Sequence, residues 1–293
     1  MRRCAAATVA LLLVSACNQG TGTPDSPTAP TGMTPAGQGV SYTAVGASDG
    51  IGFGGSAPCV PFADCPSGTG YVQILSRQMA EGGRTVAHLN LSLPGAVLSP
   101  TIEQLAATIG RPISPLASNF IERQAPFVPT SSTHLTLFAG GNDANVIGQA
   151  ARAGHGGSDP NGFVDTQVRQ WGNDLVDLVA RIRTRAPNAR VVALNLPNLA
   201  AAPYVSSYTT AEKQLMQRVA VGLSDQVNAL TGRNVLVVDL MCDPQLLQAS
   251  SYAPDGFHPN DTGYAIIAEK VLPALRDGSA GVPSTGCAQR TLF

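Results

Sequence analysis

The chain alternates short, nearly continuous apolar runs with longer segments in which apolar residues recur at helical spacing. The apolar runs predict five strands, at residues 42–45, 85–91, 133–138, 190–196 and 235–239. Runs without polar alternation are typical of strands that are covered on both faces. Strands alternating with helices therefore predict one α/β domain built on a five-stranded parallel sheet.

The clearest predicted helices follow the first, third and fourth strands, and a last one follows the fifth. Residues 71–81 have apolar positions at helical spacing, and a longer helix, ending at residues 186–187, has an apolar stripe that places Trp171 in the core. A capping box at residues 209–212 begins a third helix, and the last helix covers about residues 262–275.

Two glycine-containing segments complete the predicted pattern. Gly232 is expected to end the third of these helices. The glycine-rich segment 154–162, which carries His155, is expected to be a surface loop beside the functional site. His155 is a weak candidate for a ligand.

The N-terminal segment is typical of a targeting signal. Arg2 and Arg3 precede an apolar stretch at residues 5–16, which is too short to span a membrane as a helix. Val-Ser-Ala-Cys at residues 14–17 resembles the lipobox of bacterial lipoproteins, in which the cysteine is acylated. An ordinary cleaved signal peptide is the alternative. We expect residues 1–16 to be a signal peptide.

The lipobox resemblance implies that Cys17 is lipidated and anchors the protein to a membrane of the bacterial cell envelope. Residues 18–39 are rich in Thr, Pro and Gly and nearly lack apolar side chains, so residues 17–39 are expected to form a flexible, lipid-anchored tether. Residues 40–293 would then form the folded domain.

Of the six cysteines, Cys4 lies in the expected signal peptide and Cys17 is the expected lipidation site. Export predicts disulfide bonds between the other four, because exported proteins fold in an oxidising compartment. Three pairings are open in principle, and we predict the local one, Cys59 with Cys65 and Cys242 with Cys287. Zinc is the competing explanation for cysteines, but the chain has no Cys-x-x-Cys pair and no matched histidine pair. We therefore expect no metal and no cofactor.

The composition and net charge of the chain limit the size of its core and the kinds of molecule it can bind. Apolar residues make up 44% of the 293 residues and charged residues 13%, which is sufficient for one sizeable core. The formal net charge is −1, and no cluster of Lys and Arg lies beyond the first three residues. A nucleic-acid partner requires a basic surface, so we expect none.

Candidate chemistry lies in loops that follow the predicted strands. The carboxyl ends of parallel strands share one edge of the sheet, where ligands bind in open α/β folds. The residues expected there are Ser48 after strand one, Gly95 after strand two, Asn142 after strand three, and Asp255 and His258 beyond strand five.

These five residue types match the needs of nucleophilic ester cleavage. The Ser48 hydroxyl needs a base, which His258 supplies, and Asp255 would orient the imidazole. The oxyanion needs hydrogen-bond donors, and the candidates are the backbone N–H groups of Ser48 and Gly95 and the side-chain amide of Asn142. Asp239 is a reserve candidate for the acid.

The same blocks resemble the signature of the SGNH/GDSL hydrolase family. They are Gly-x-Ser-Asp at residues 46–49, the isolated Gly95, Gly-x-Asn-Asp at residues 140–143 and Asp-x-x-His-Pro at residues 255–259. The resemblance covers about residues 40–275. It implies a three-layer, flavodoxin-like α/β/α sandwich and a serine esterase or lipase that uses an acyl-enzyme intermediate. The family's usual Gly-Asp-Ser-Leu reads Gly-Ala-Ser-Asp here, so the subfamily and the substrate stay open.

Several alternatives remain at this stage. The Gly-x-Ser-x-Gly pattern at residues 46–50 also fits the nucleophile elbow of α/β-hydrolases. That fold has several strands before its nucleophile and places its acid and histidine on separate loops, so we reject it. A carbohydrate O-acetyl esterase, an acyltransferase on the same fold, or a non-catalytic protein that binds glycan or lipid are the other possibilities. The expected partner is a small-molecule or glycan ester.

Overall fold

The computed structural model describes residues 39–293. The expected signal peptide, Cys17 and the rest of the expected tether up to residue 38 lie outside the described residues. The strands are β1 (Val40–Val45), β2 (Val86–Asn90), β3 (His134–Phe138), β4 (Arg190–Leu194) and β5 (Leu236–Val238). The α-helices are α1 (Tyr71–Ala80), α2 (Pro100–Thr108), α3 (Phe120–Arg123), α4 (Gly141–Arg152), α5 (Pro160–Arg185), α6 (Thr210–Asn228) and α7 (Asp261–Asp277).

The five strands form one parallel sheet in the order β2-β1-β3-β4-β5. This is the flavodoxin-like order, in which the chain reverses its direction across the sheet between β1 and β3. Tyr42 of β1 pairs with His88 on one side and with His134 on the other. The carboxyl ends of β1 and β3 therefore lie side by side where a ligand is expected to bind.

Helices cover both faces of the sheet, as expected from its uninterrupted apolar strands. Helices α1 and α7 pack against each other, and α4, α5 and α6 form a second packed group. Trp171 of α5 is fully buried, in agreement with its predicted place in the core. The result is the predicted three-layer α/β/α sandwich.

Several predicted elements need correction. Helix α4 was not predicted, because it begins within Gly-Gly-Asn-Asp at residues 140–143, which is typical of a turn, and no side chain caps its start. Helix α4 separates the His155 loop from Asn142, so this loop lies at the far end of α4 and not beside the site. Helix α6 ends at Asn228, and a 3₁₀-helix follows it, so Gly232 does not end it. The predicted capping box of Thr209 and Glu212 is present.

Two disulfides join the four cysteines of the described chain in the predicted pairing. Cys59 pairs with Cys65 and Cys242 with Cys287, with Cα–Cα distances of 5.9 and 5.7 Å. The first closes a small loop that follows the segment after β1. The second ties the loop after β5 to the C-terminal segment. Within residues 39–293, no helix has the length and the apolar character needed to cross a membrane.

Candidate active site

Ser48 is the first residue of a 3₁₀-helix, Ser48–Ile51, that begins three residues after β1 ends. Its side chain sits at the carboxyl edge of the sheet and only 4% of the residue is exposed. The sharp turn requires a glycine at position 50, because a Cβ there would overlap Oγ of Ser92. Gly50 thus permits the tight turn that places Ser48 just beyond the end of β1.

The side-chain amides of Gln124, which is buried, and Asn90, which is half-buried, hold this turn from both ends. Gln124 accepts a hydrogen bond from Gly46 N (2.9 Å) and donates one to Gly46 O (2.8 Å). Asn90, at the end of β2, donates to Gly50 O at 2.7 Å. The backbone before and after Ser48 is therefore fixed by polar contacts that satisfy groups with little access to water.

His258 lies in the loop that precedes α7. The loop is closed by a hydrogen bond from Ala253 N to His258 O (2.8 Å) and by a bridge between Tyr252 and Pro259. Gly256 has φ of +70°, and a Cβ there would lie 2.7 Å from Tyr204 N, so glycine is required at this bend. This geometry directs His258 back across the sheet edge toward Ser48.

Ser48, His258 and Asp255 form a continuous chain of hydrogen bonds. His258 Nε2 lies 2.9 Å from Ser48 Oγ, and His258 Nδ1 lies 2.6 Å from Asp255 Oδ2. An ionised carboxylate only accepts, so Nδ1 carries the hydrogen and Nε2 is left to accept from the serine hydroxyl. The structure thus brings together the three residues that the sequence predicted as a triad.

Asp255 remains ionised for a local reason. Partial burial acts to raise its pKa, but hydrogen bonds from the His258 ring and from the backbone N–H groups of His258 and Phe257 hold the pKa of Asp255 below its ordinary value. A carboxylate is therefore in place opposite Nδ1 at neutral pH, where it favours the tautomer that leaves Nε2 unprotonated.

Aromatic rings flank the imidazole. The ring of Phe53 lies 4.7 Å from that of His258, and the ring of Phe257 lies 4.9 Å from it, centroid to centroid. The side chain of His258 is 14% exposed and that of Asp255 is 40% exposed. The histidine is thus shielded more than the carboxylate, and it stays reachable from one side.

The three candidate oxyanion donors come from the loops that follow β1, β2 and β3. Gly95 is the third residue of a turn that begins at Leu93, with Ala96 N donating to Leu93 O at 3.1 Å. Its φ is +81°, which with Pro94 before it indicates a type II turn. Leu93 N also donates to Gly46 O at 3.3 Å, so this turn lies beside the Ser48 turn.

Asn142 stands in the first turn of α4. Its Nδ2 donates to Ala96 O at 2.9 Å, which fixes the amide and leaves its second hydrogen without a partner in the described chain. The backbone N–H groups of Ser48 and Gly95 likewise donate to no group between residues 39 and 293. Three donors without acceptors around the Ser48 turn suit a site where negative charge develops.

Asp143, the next residue of α4, is buried and joins the helix to the preceding loop. Its Oδ1 accepts from Leu98 N at 2.8 Å. Burial raises the pKa of Asp143 to about 6, against the opposing effect of the hydrogen bond from Leu98 N–H. Asp143 thus ties the start of α4, next to Asn142, to the backbone of Leu98.

The remaining candidates lie apart from the triad or contact no reacting group. Asp239 accepts from Asn195 Nδ2, Cys242 N and Ser284 N, so it fastens the loop after β5. The exposed His155 ring stands 6.3 Å from that of Phe163. Asp49 lines a small cavity of about 40 Å³, and burial raises its pKa despite the nearby His258. Among residues 39–293, no group of three or more His, Cys, Asp or Glu side chains could hold a metal ion.

Sequence reasoning missed the residues that support the nucleophile turn. Gln124 follows α3 in a polar, proline-rich region, and nothing in its neighbourhood forms a motif. Asn90 ends β2 and differs from any other polar residue at a strand end only through its contact with Gly50 O. Both act over 40 or more residues of sequence separation. No local signal could have identified them.

Several solved structures are similar to this chain in fold. A lipase, Lip_vut3, from a goat rumen metagenome is 18% identical, with a TM-score of 0.56 over 80% of this chain and 97% of that chain. A phospholipase A1 from Streptomyces albidoflavus NA297 is 16% identical, with a TM-score of 0.55 over 82% of this chain and all (100%) of that chain. An extracellular lipase from Streptomyces rimosus is 16% identical, with a TM-score of 0.51 and the same coverage, 82% and 100%.

No curated protein matches the chain in sequence. The GDSL-like lipase/acylhydrolase family, in contrast, matches residues 41–266, which run from the second residue of β1 into α7 and include Ser48 and the loop of His258. The chain therefore belongs to the GDSL-like lipase/acylhydrolase family.

Proposed function

We propose that this protein is a serine esterase that hydrolyses carboxylic esters through an acyl-enzyme intermediate, with Ser48, His258 and Asp255 as its catalytic triad. The observation that carries the proposal is the hydrogen-bonded chain from Ser48 Oγ to His258 Nε2 (2.9 Å) and from His258 Nδ1 to Asp255 Oδ2 (2.6 Å). Each link has the polarity that nucleophilic catalysis requires.

In the first half-reaction, Ser48 Oγ forms a bond to the ester carbonyl carbon while its proton passes to His258 Nε2. The carbonyl electron pair moves onto oxygen, giving a tetrahedral oxyanion. The imidazolium then donates the proton to the departing alkoxide as the carbon–oxygen bond breaks, which releases the alcohol and leaves an acylated Ser48. Asp255 stabilises the positive imidazolium without becoming protonated.

In the second half-reaction, water takes the place of the alcohol. His258 accepts a proton from the water as the water oxygen attacks the acyl carbon. His258 returns the proton to Ser48 Oγ when the second tetrahedral intermediate collapses. In both halves the oxyanion would accept hydrogen bonds from the backbone N–H groups of Ser48 and Gly95 and from Asn142 Nδ2. The carboxylic acid leaves and the enzyme is restored.

A panel of p-nitrophenyl esters from acetyl to palmitoyl, with acetylated sugars alongside, tests this function. The wild-type protein should hydrolyse at least one member, and Ser48→Ala and His258→Ala should each lose nearly all turnover. Asp255→Asn should lose much of it, because the imidazole would lose both its orientation and its counter-charge. Turnover by Ser48→Ala equal to that of the wild type would refute the proposal.

We further propose that the enzyme is exported and anchored through a lipid on Cys17, which rests on the lipobox at residues 14–17. The two disulfides support export, because such bonds persist in oxidising compartments. Cells fed a clickable fatty acid should label the wild-type protein and not Cys17→Ser. Equal labelling of the two would contradict the anchor.

A further inference from the structure

A cavity of about 280 Å³ lies beside two of the residues that carry candidate oxyanion donors. Gly95 and Asn142 form part of its wall, so a substrate whose carbonyl reaches those donors would place a neighbouring group in this space. The volume is just below the usual range for ligand pockets, about 300–1,000 Å³, which suits a short group and not a long chain. Its other lining residues are Pro94, Arg111, Pro112, Ile113, Ser114, Ala117, Asn145 and Val146.

Arg111 is the one charged residue in this wall. It takes part in no salt bridge within residues 39–293, and no Asp or Glu lines the cavity. The first turns of α4, which contribute Asn142 and Asn145, add the positive end of a helix dipole to the same wall. An exposed arginine without a salt-bridge partner in the described chain therefore lies at the wall of this cavity, beside apolar residues.

The backbone at Arg111 is held in place by the end of α2. Gly110 has φ of +73°, and Arg111 N donates to Ala106 O at 2.9 Å, which is the Schellman arrangement that closes a helix. Pro112 restricts the conformation of Arg111 from the other side. A guanidinium on a fixed backbone at a cavity wall loses less freedom on binding than one on a mobile loop.

From this arrangement we infer that the preferred substrates are esters carrying an anionic group, a carboxylate or a phosphate, that binds Arg111 while a short apolar portion contacts Pro112, Ile113 and Val146. The inference rests on the proposed esterase function and adds a substrate class to it. Guanidinium groups bind both anions through paired N–H donors, so the shared chemistry is the anion, and the source is decided by experiment.

Two matched substrate pairs separate the two anions. The carboxylate pair is mono-p-nitrophenyl glutarate and p-nitrophenyl pentanoate, and the phosphate pair is a monoacylglycerol phosphate and the monoacylglycerol with the same acyl chain. The wild type should have the higher kcat/KM for the anionic member of one pair. Arg111→Gln should lower this anionic-to-neutral ratio about tenfold, as for a charged hydrogen bond that is partly solvated. Arg111→Lys should lose less of it.

Arg233→Gln is the matched control, because Arg233 is exposed, forms no salt bridge in the described chain and precedes β5, at the opposite edge of the sheet. It removes the same charge and should keep the wild-type ratio. Raising the salt concentration should reduce the wild-type ratio and leave that of Arg111→Gln nearly constant. A ratio near one for both pairs in the wild type, or a ratio that survives Arg111→Gln, would overturn the inference.

Binding measurements separate this inference from the esterase function. Glutarate and glycerol phosphate are titrated calorimetrically into Ser48→Ala and into the double variant Ser48→Ala/Arg111→Gln. One of the anions should bind the first about tenfold more tightly than the second, whether or not the enzyme turns over any ester. Hydrolysis of the neutral esters reports on the esterase proposal alone. Binding of neither anion to Ser48→Ala would overturn the role of Arg111.

Discussion

The buried side-chain amide of Gln124 forms two hydrogen bonds with the backbone of Gly46, accepting from its N–H at 2.9 Å and donating to its carbonyl at 2.8 Å. Gly46 lies two residues before Ser48. The amide thus pairs with both the N–H and the C=O of one residue, as a neighbouring strand would, at a point where β1 has just ended. The contact therefore fixes where the turn that carries Ser48 leaves the sheet.

Replacing Gln124 by Leu should damage both stability and catalysis. The Gly46 N–H would stay buried without a partner, at a cost of about 1–3 kcal/mol. The Gly46 carbonyl would keep only the hydrogen bond from Leu93 N. At a temperature where the variant is folded, kcat should fall at least tenfold with little change in KM, because a small displacement of Ser48 disturbs attack more than binding. Urea unfolding and steady-state kinetics on one ester measure the two effects.

Ser224→Ala is the matched control for that variant. Ser224 is also fully buried, and its Oγ accepts from Leu196 N (3.2 Å) and donates to Leu196 O (3.1 Å) beyond the end of β4. Its loss should reduce stability and leave kcat much closer to the wild-type value. If Gln124→Leu lost only stability, with kcat intact, the position of Ser48 would not depend on Gln124.

Asn142→Ala should act on the transition state. The carbonyl oxygen gains negative charge only as Ser48 attacks, so a donor aimed at it stabilises the transition state more than the bound substrate. We expect kcat to fall by roughly 10²–10³, or about 3–4 kcal/mol, the scale of a lost oxyanion donor. KM should change little, and labelling of Ser48 by a fluorophosphonate should persist at a lower rate. An increase in KM alone would instead make Asn142 a substrate-binding residue.

Asp143 should give the protein a measurable pH dependence of stability. Because its pKa rises from an ordinary value of 3.8 to about 6 in the folded state, the folded chain holds this proton over a range in which the unfolded chain has released it. The contribution is therefore present below about pH 4 and is lost as the pH rises to about 6. The loss approaches about 3 kcal/mol, at 1.36 kcal/mol for each pH unit.

The variant Asp143→Asn isolates this effect, because the other titrating groups are common to both proteins. The free energy of unfolding of the wild type, minus that of the variant, should decrease between about pH 4 and pH 6. Urea unfolding at intervals across this range gives the difference. A difference that stays constant, or increases, would mean that the buried carboxyl has no raised pKa.

The two disulfides should differ in their contribution to stability. Cys59 and Cys65 are separated by 6 residues, and Cys242 and Cys287 by 45. On the loop-entropy account, the longer loop restricts the unfolded chain more, by about 2 kcal/mol. Replacing Cys242 and Cys287 by alanine should therefore lower the free energy of unfolding more than replacing the other pair. Equal losses, or the reverse order, would contradict the entropic account.

Much of the fold followed from patterns that are local in the sequence. The apolar runs located all five strands, and their ends moved by one or two residues at most. The proximity of Ser48, His258 and Asp255 could also be predicted, because Asp255 and His258 share one loop and Ser48 follows a strand. Parallel strands bring such loops to one edge of the sheet whatever the details of packing.

The features that were not predicted depend on contacts between distant segments or on a helix start that resembles a turn. Helix α4 begins within a glycine-rich segment that resembles a turn and has no capping side chain, and its absence from the prediction wrongly placed His155 beside the site. Gln124 reaches Gly46 across 78 residues. The cavity beside Arg111 is formed by three separate segments, and its existence follows only from their packing.

Covalent trapping shows whether Ser48 is the nucleophile. A fluorophosphonate reacts with a serine whose hydroxyl is activated by a base, and peptide mass mapping locates the adduct. Ser92 provides an internal comparison, because its Oγ lies beside the Ser48 turn but has no hydrogen-bond partner in the described chain. We expect one adduct, on Ser48, that forms in the wild type and in Ser92→Ala, forms far more slowly in His258→Ala and is absent from Ser48→Ala. An adduct on any other serine, or an unchanged rate of labelling in His258→Ala, would contradict this expectation.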